Sequence, residues 1–582
     1  MTEILGKDAP LQKTISQMSV GLRNLGLDIE EVRWLNPVPN VWSVQIRDRS
    51  CPLLVANGKG ASREAALASA HGELLERLSC NAFFANYYLG RSVASRGFVH
   101  YPNERWFTVE EDEIPVGLLD EPTLHHYNFS GELTGPMLID TGSGDTQRGI
   151  CAVPFERQRN KAEVWFPINI LGNLYANNGM AAGNTKWEAR VQALSEIFKR
   201  HIKNTIITSG ISLPAIPDEI VARYPRSQSA IDALRDRGFG VLIRDASLAG
   251  KFPLVNVTLL NPENGGVCAS FGAHPKFEIA LERALTELLQ NRALDQLDQF
   301  PAPSLDLKEV ADQQNLERHF IDSSGVVAWD LLADQSDYEF TEWNIEGDSK
   351  AEFDHLCYLI HRVDMDIYIS DYEHLGIYSC RIVVPGMSEM YPVEDLLHHN
   401  NAEGISLRHR CLGLPELDDA GYRSVLKELE EHQVDDQRLL AEYLGIVTDS
   451  DTPWKTLSIG ELKGLLALQT GDLASGLAWV RWTLEQGGLS DERMALYRCL
   501  QQCLALSLDK ERTLESYLPV LRLAHGEADL NRSLRMLEGE AVLDDLPCDD
   551  GSLRQFSNHS RLLEVYTRLQ KAKATVMLPD NS

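Results

Sequence analysis

GASREAALASAHGELLER (residues 60–77), GNTKWEARVQALSEIFKR (183–200) and HPKFEIALERALTELLQN (274–291) lie over one another without a gap. Ala66, Ala189 and Ala280 coincide, as do Ala70, Ala193 and Ala284. Seven residues beyond the first alanine each copy carries a glutamate: Glu73, Glu196 and Glu287. Leu74, Ile197 and Leu288 follow them. Steps of four and seven residues return to one face of a helix, so each segment sets two small residues beside one carboxylate. The small residues would let a second helix or a ligand come close.

Other polar residues extend that face. Ser69 lies four residues before Glu73 and Glu76 three after it; Glu188, Gln192 and Glu196 step along the second segment; Arg283 lies four before Glu287. Most helical glutamates are solvated, but in AALASAHGELLERLS nearly everything around Glu73 is small or apolar, which argues for faces converging on one site. Glu73, Glu76, Glu188, Glu196 and Glu287 could not all stay ionised at close range without cations, because like charges and desolvation both disfavour the anion. Magnesium is the natural counter-ion. It takes hard oxygen ligands and binds through a few carboxylates shared with substrate phosphates. Arg200 and Arg283 supply fork-shaped donors for phosphate oxygens. The set reads as a magnesium–nucleotide site, in a chain with neither a Gly-x-x-x-x-Gly-Lys-Ser/Thr phosphate loop nor a Gly-x-Ser-x-Gly nucleophile elbow.

The rest of the chain sets bounds. Its 582 residues suggest two to four domains, and 43% hydrophobic with 24% charged residues is an ordinary globular balance. A formal net charge of −30 counts against general affinity for nucleic acid or anionic lipid. The start MTEILGKDAPLQKTIS is not that of a signal peptide and no stretch suits a membrane span, so a cytoplasmic protein is expected. Ten cysteines include no CxxC pair, and Cys499 and Cys503 read as buried helix residues. To about residue 400 the pattern is a mixture of strands and helices, with strands predicted at 41–47, 52–57, 239–245, 254–260, 266–271, 367–370 and 377–384. After Pro415 it turns helical, at 422–443, 459–470, 473–485, 492–506, 511–524 and 553–574, with two leucine-rich helix pairs about one tetratricopeptide period apart. The acidic stretch 330–354 reads as a solvated loop. Gly58 and Gly60 read as a strand-to-helix turn beside Lys59, a weak phosphate candidate. His125, His126, His398 and His399 read as surface loop, and Trp479 and Trp482 as packing residues.

The three glutamate-bearing segments resemble the ATP-binding helices of the YcaO family. The first fits its Ser-x-x-x-Glu-x-x-Glu-Arg pattern at Ser69, Glu73, Glu76 and Arg77; the second resembles its Glu-x-x-x-Gln-x-x-x-Glu-x-x-Glu-Arg pattern at Glu188, Gln192, Glu196 and Arg200; the third fits Arg-x-x-x-Glu at Arg283 and Glu287. WLNPVPNVWSVQIRD, NGKGA, FVHYPNE, SFGAHP and SDYEHLG extend the likeness, which covers nearly the whole chain. It implies an α+β ATP-binding domain over 1–410, glutamate-bearing helices on β-sheet, and an all-α, tetratricopeptide-like domain over 416–582. It further implies ATP and Mg2+ as ligands, with the five glutamates on the metal and Lys7, Ser69, Asn184, Gln192, Arg200 and Arg283 on the nucleotide. Family members phosphorylate a peptide amide oxygen. For stand-alone members the resemblance implies an accessory role in β-methylthiolation of an aspartate of small-subunit ribosomal protein twelve, with RimO or the ribosomal protein as partner, and a homodimer. Thioamide-type backbone activation and a helical scaffold with a relic nucleotide site stay open as alternatives. Two departures stand out. Lys199 takes a place where the family has Glu, and the chain ends ATVMLPDNS instead of in a Pro-rich tail, so ring-forming cyclodehydration is not expected.

Overall fold

A computed structural model describes residues 4–394, 404–450, 452–486, 488–546, 548–549 and 551–576. His398, His399 and the tail beyond residue 576 lie outside the described residues. Three antiparallel sheets organise the first part of the chain. One is the meander β1 (Ile29–Val38), β2 (Val41–Asp48) and β3 (Val55–Gly60), whose first turn is closed by Asn40 in the left-handed region (φ 58°). A larger sheet collects β4 (Arg105–Phe107), β5 (Ile150–Arg157), β6 (Glu163–Pro167), β7 (Met180–Gly183), β11 (Tyr368–Tyr372) and β12 (Tyr378–Val383), in the order β4-β5-β11-β12-β7 with β6 on β5. The third is a second meander, β8 (Gly240–Asp245), β9 (Leu254–Leu260) and β10 (Val267–Ala273).

Helix α1 (Leu11–Asn24) packs on α2 (Arg63–Ser79), and α2, α3 (Lys186–Ser209) and α4 (Phe277–Leu288) pack on these sheets. Each repeated segment is one of α2, α3 and α4, and each directly follows a strand: β3, β7 and β10. Side-chain caps fix two of the starts, Ser62 accepting from the Ala65 N–H and Thr185 from the Glu188 N–H. The alanines turn out to serve the strand, not a second helix or a ligand. A Cβ on Gly58 would stand 2.0 Å from the Ala66 carbonyl oxygen, and one on Gly272 would stand 2.0 Å from that of Ala280. Ala66, Ala70, Ala189, Ala193, Ala280 and Ala284 are all fully buried. Gly58, Ala181 and Gly272 each lie eight residues before the first alanine of their helix, so the repeat is a strand–helix unit. Gly58 and Gly60 accordingly lie within β3 facing α2, rather than in a turn.

The three units close on one another. Beyond its own strand, α2 packs on β7, α3 on β10 and α4 on β3. Residues at one register of the three helices are thereby brought to a common centre.

Several elements depart from the sequence reading. β1 and β4–β7 were not anticipated, because they are short or lack clean alternation. The strand predicted at 52–57 starts at Val55. The acidic stretch 330–354 ends inside helix α5 (Ser349–Arg362), which buries Phe353, Leu356 and Ile360. His126 lies on a short helix, Glu121–Tyr127, and pairs with Glu389 at 2.6 Å. The predicted helix 422–443 divides into Asp419–Glu431 and Leu440–Leu444 after Gln433 takes a left-handed conformation (φ 51°).

Helices α6 (Ile459–Gln469), α7 (Leu473–Gln486), α8 (Asp491–Ser507) and α9 (Leu518–Leu537) pack each on the next. α9 replaces the helix predicted at 511–524 and is kinked at Gly526. Trp479 and Trp482 lie over Gly464 and Gly460 of α6, and Cys499 and Cys503 are buried against Leu521 and Leu530. The last helix, α10 (Ser557–Val576), returns to the first part of the chain: its Leu562, Val565, Tyr566 and Leu569 are buried with Leu22 of α1 and Leu74, Leu75 and Leu78 of α2. No helix among the described residues is long and apolar enough to cross a membrane.

Candidate nucleotide and metal site

The central register holds the glutamates, and a lysine joins them. Lys199 Nζ lies 2.8 Å from Glu196 Oε1 and 2.7 Å from Glu287 Oε1. Lys59, one residue before the end of β3, approaches Glu287 Oε2 at 2.8 Å and donates to Gln290 Oε1 at 3.0 Å. Burial would push both carboxyls up, but the cations outweigh it. Lys199 and Arg200 hold Glu196 down to about 2, and Lys199 and Lys59 hold Glu287 well below the usual range. Lys199 therefore points into the cluster and supplies positive charge at its centre.

Glu73 and Glu76 lie on the other side of this group. Glu73 pairs with Arg77 one turn on. Burial nevertheless raises its carboxyl, partly offset by Arg77 and Lys59. Glu76 is raised further, by burial first and then by the charge of Glu73. Among the described residues it makes no hydrogen bond or ion pair. Arg200 donates from Nε to Glu196 Oε1 at 2.8 Å and lies over the Phe320 ring at 4.0 Å. Arg283 is half-buried; one nitrogen donates to the Ala273 carbonyl at 2.9 Å and another to Gln192, which joins α4 to α3.

Glu188 forms a second station at the start of α3. Its Oε1 meets Lys7 Nζ at 3.1 Å, and its Oε2 accepts from the Asp8 N–H at 3.0 Å and from Asn184 Nδ2 at 2.9 Å. Burial opposes ionisation there, and Lys7 with these donors holds the carboxyl below its ordinary range. Asn184 is in turn held by the Thr14 hydroxyl at 2.9 Å. Ser69 is half-buried on α2, four residues before Glu73. Lys59, Asp8, Thr14 and Gln290 were missed or underrated as site residues. Asp8 and Thr14 lie far from the repeats in sequence, Lys59 directly precedes the first copy and Gln290 lies at the end of the third, and only the closure of the three units brings the four to the glutamates.

The residues suit a divalent cation with a phosphate ligand. Glu76 is a half-buried carboxylate without a partner among the described residues, next to Glu73, and all five donors are hard oxygens of the kind magnesium takes. Carboxylates presented by three helices beside lysines and arginines make a charged cluster suited to a cation-bridged anion, without a glycine-rich loop.

The chain belongs to the YcaO family. The family described as YcaO cyclodehydratase, ATP- and Mg2+-binding, matches residues 57–388, and the YcaO cyclodehydratase C-terminal domain matches residues 404–575. An Escherichia coli protein, the ribosomal protein S12 methylthiotransferase accessory factor YcaO, is 49% identical over 98% of this chain and 99% of its own length. An uncharacterized Haemophilus influenzae protein is 46% identical over 98% of both chains. Among solved structures, YcaO from Methanopyrus kandleri bound with AMPPCP and Mg2+ is 18% identical, covering 66% of this chain and 92% of its own, with a TM-score of 0.39.

Proposed function

We propose that this chain binds Mg2+-ATP at the converged glutamates and acts as an accessory factor in β-methylthiolation of an aspartate of ribosomal protein S12, working with RimO. The observation that carries the nucleotide site is the meeting of Glu73, Glu196 and Glu287, at one register of three different helices, with Lys59, Lys199 and Arg200. The accessory role rests on identity along the whole length of the Escherichia coli accessory factor. Bound Mg2+-ATP would supply a phosphoryl group able to convert a peptide amide oxygen into a leaving group. The protein's own part is to hold and orient it. Glu73, Glu76 and Glu188 offer oxygens to the cation; Lys7, Ser69, Asn184, Gln192, Arg200 and Arg283 face the nucleotide and neutralise its phosphates. We read residues 1–410 as the nucleotide-binding unit and 416–582 as a tetratricopeptide-like unit that recruits the protein partner, in a cytoplasmic homodimer. α10 anchors the second unit in the core of the first.

A second reading, a scaffold with a relic site, draws its support from Lys199, whose ammonium already sits between Glu196 and Glu287. Calorimetric titration with ATP separates the two. Binding that needs Mg2+ and is lost in Glu76→Gln supports the site. Absence of binding with and without Mg2+ leaves the scaffold.

A further inference from the structure

A second cluster lies beyond the end of α2, away from the glutamates. His100 precedes β4, Asp140 opens the turn that Ser143 closes, and Cys151 lies on β5 opposite Trp106. One ligand atom from each lies within 4.8 Å of the others, and His100 Nε2 stands 2.7 Å from Asp140 Oδ2. All three side chains are buried. We infer that His100, Asp140 and Cys151 form a binding site for a divalent metal of the zinc class, distinct from the glutamate cluster.

The donor set selects the metal. Imidazole nitrogen, one carboxylate oxygen and one thiolate suit zinc, and magnesium does not take sulfur. The surroundings hold these atoms in place. Glu104 accepts the backbone N–H groups of Val99, His100 and Tyr101 at 2.8, 2.7 and 3.0 Å and the Trp106 indole N–H at 2.8 Å, which fixes the loop that carries His100. The Ser143 N–H donates to Asp140 Oδ1 at 3.3 Å and leaves Oδ2 for the histidine. On the far side the loop is clamped by α10. The Tyr566 hydroxyl donates to the Val99 carbonyl at 2.7 Å and Lys573 Nζ to that of His100 at 2.9 Å. A cavity of about 70 Å³, lined among others by His100, Asp140, Tyr101, Asn173 and Arg381, adjoins the cluster. A water takes roughly 30 Å³ of liquid volume, so a fourth, water ligand has room.

Without metal, the His100–Asp140 hydrogen bond holds the pair together. Binding exchanges protons for the ion: the Cys151 S–H bond breaks and its proton leaves to solvent, the imidazole proton passes from Nε2 to Nδ1, and the freed sulfur, nitrogen and Asp140 oxygen become ligands. Three segments distant in sequence are thereby stapled beneath α10.

Cobalt(II) tests the assignment in the full chain, stripped with chelator and kept in excess Mg2+ to occupy the glutamates. One equivalent should give a thiolate-to-cobalt charge-transfer band in the near ultraviolet that is lost in Cys151→Ser while the circular dichroism of the fold is kept. No band, or a band that survives in Cys151→Ser, overturns the proposal. Should Cys151→Ser fail to fold, X-ray absorption of the zinc-loaded wild-type protein decides: one sulfur among four ligands supports the site, and none or several sulfurs overturn it.

Discussion

Replacing Lys199 with methionine keeps the length of the side chain and removes the charge that holds two carboxylates together. Glu196 has a folded value of about 2 against an ordinary 4.5, and its side chain is 22% exposed. At about 1.36 kcal/mol per pKa unit, that difference corresponds to roughly 3 kcal/mol of stability supplied by its cations. Because the folded value is the lower one, this stabilisation is complete above about pH 4.5 and disappears as the pH falls through about 2. Lys199 shares the effect with Arg200, but its loss also leaves Glu196 and Glu287 facing each other in a half-buried setting. Removing one partner of a buried pair costs about 3–5 kcal/mol, so a loss near 3 kcal/mol at neutral pH is expected. Denaturant unfolding monitored with and without Mg2+ is the assay. Lys199→Met should be destabilised without Mg2+ and recover part of the loss on adding it, because the two freed carboxylates then bind the dication; the wild-type protein should gain little from Mg2+ alone. Lys199→Glu, which adds a third carboxylate between Glu196 and Glu287, should behave in the same way but more strongly. If Lys199→Met unfolds with the wild-type protein at neutral pH and Mg2+ moves both alike, Lys199 is not the internal counter-ion described above.

Other perturbations reach different links of the same argument. Gly58→Ala would place a methyl 2.0 Å from the Ala66 carbonyl oxygen, a backbone atom, and should cost about 1–3 kcal/mol in equilibrium unfolding; unchanged stability would contradict the close strand–helix contact. Lys203 is buried, with Nζ donating to the His319 carbonyl at 2.6 Å and the Ser323 hydroxyl at 2.9 Å, and burial lowers it from 10.5 to about 8. Between those values the unfolded chain binds more protons, so wild-type stability should rise with pH over that window relative to Lys203→Met, and parallel curves in pH-dependent unfolding would refute this. Tyr566→Ala removes a fully buried ring from the junction of α10 with α1 and α2 and should cost about 3–5 kcal/mol, read in thermal melts; an unaffected melting of the first part of the chain would show that α10 does not complete its core.

The helical half of the fold and the site were legible where residues recur at fixed spacing. Alanine and glutamate at one register of α2, α3 and α4 announce a shared face, because the spacing alone sets which residues share it. What those alanines touch was not legible. Their partner is a strand glycine, Gly58 and Gly272 eight residues upstream in the first and third units and Gly183 six upstream in the second, and its role shows only when β3, β7 and β10 lie under their helices. Lys59 escaped for the same reason. In sequence it is a lysine between two glycines; in space, the packing of α4 on β3 delivers it to Glu287. The burial of α5 was hidden by composition: Glu352 belongs to a strongly acidic run, yet it is fully buried with Lys276 Nζ at 2.5 Å.

The charges of the cluster decide what magnesium is for. Glu73, Glu188, Glu196 and Glu287 meet five cations, Lys7, Lys59, Arg77, Lys199 and Arg200, in the pairs described above, and Glu76 brings the carboxylates to five. The acids and bases balance without any metal, so folding of the chain does not call for one. A triphosphate arriving at this site adds several negative charges in a setting of low dielectric, where they cannot be left unpaired. Glu76, with no partner among the described residues, is the oxygen best placed to recruit the added cation, and Lys199 reduces how many cations are needed. In protein already stripped of zinc-class metal, withdrawal of Mg2+ should therefore leave the melting temperature of the ligand-free protein unchanged and abolish the stabilisation by ATP. A fall in the melting temperature on that withdrawal, before any nucleotide is added, would mean that the glutamates hold a metal of their own and that the pairing with Lys199 is not what neutralises them.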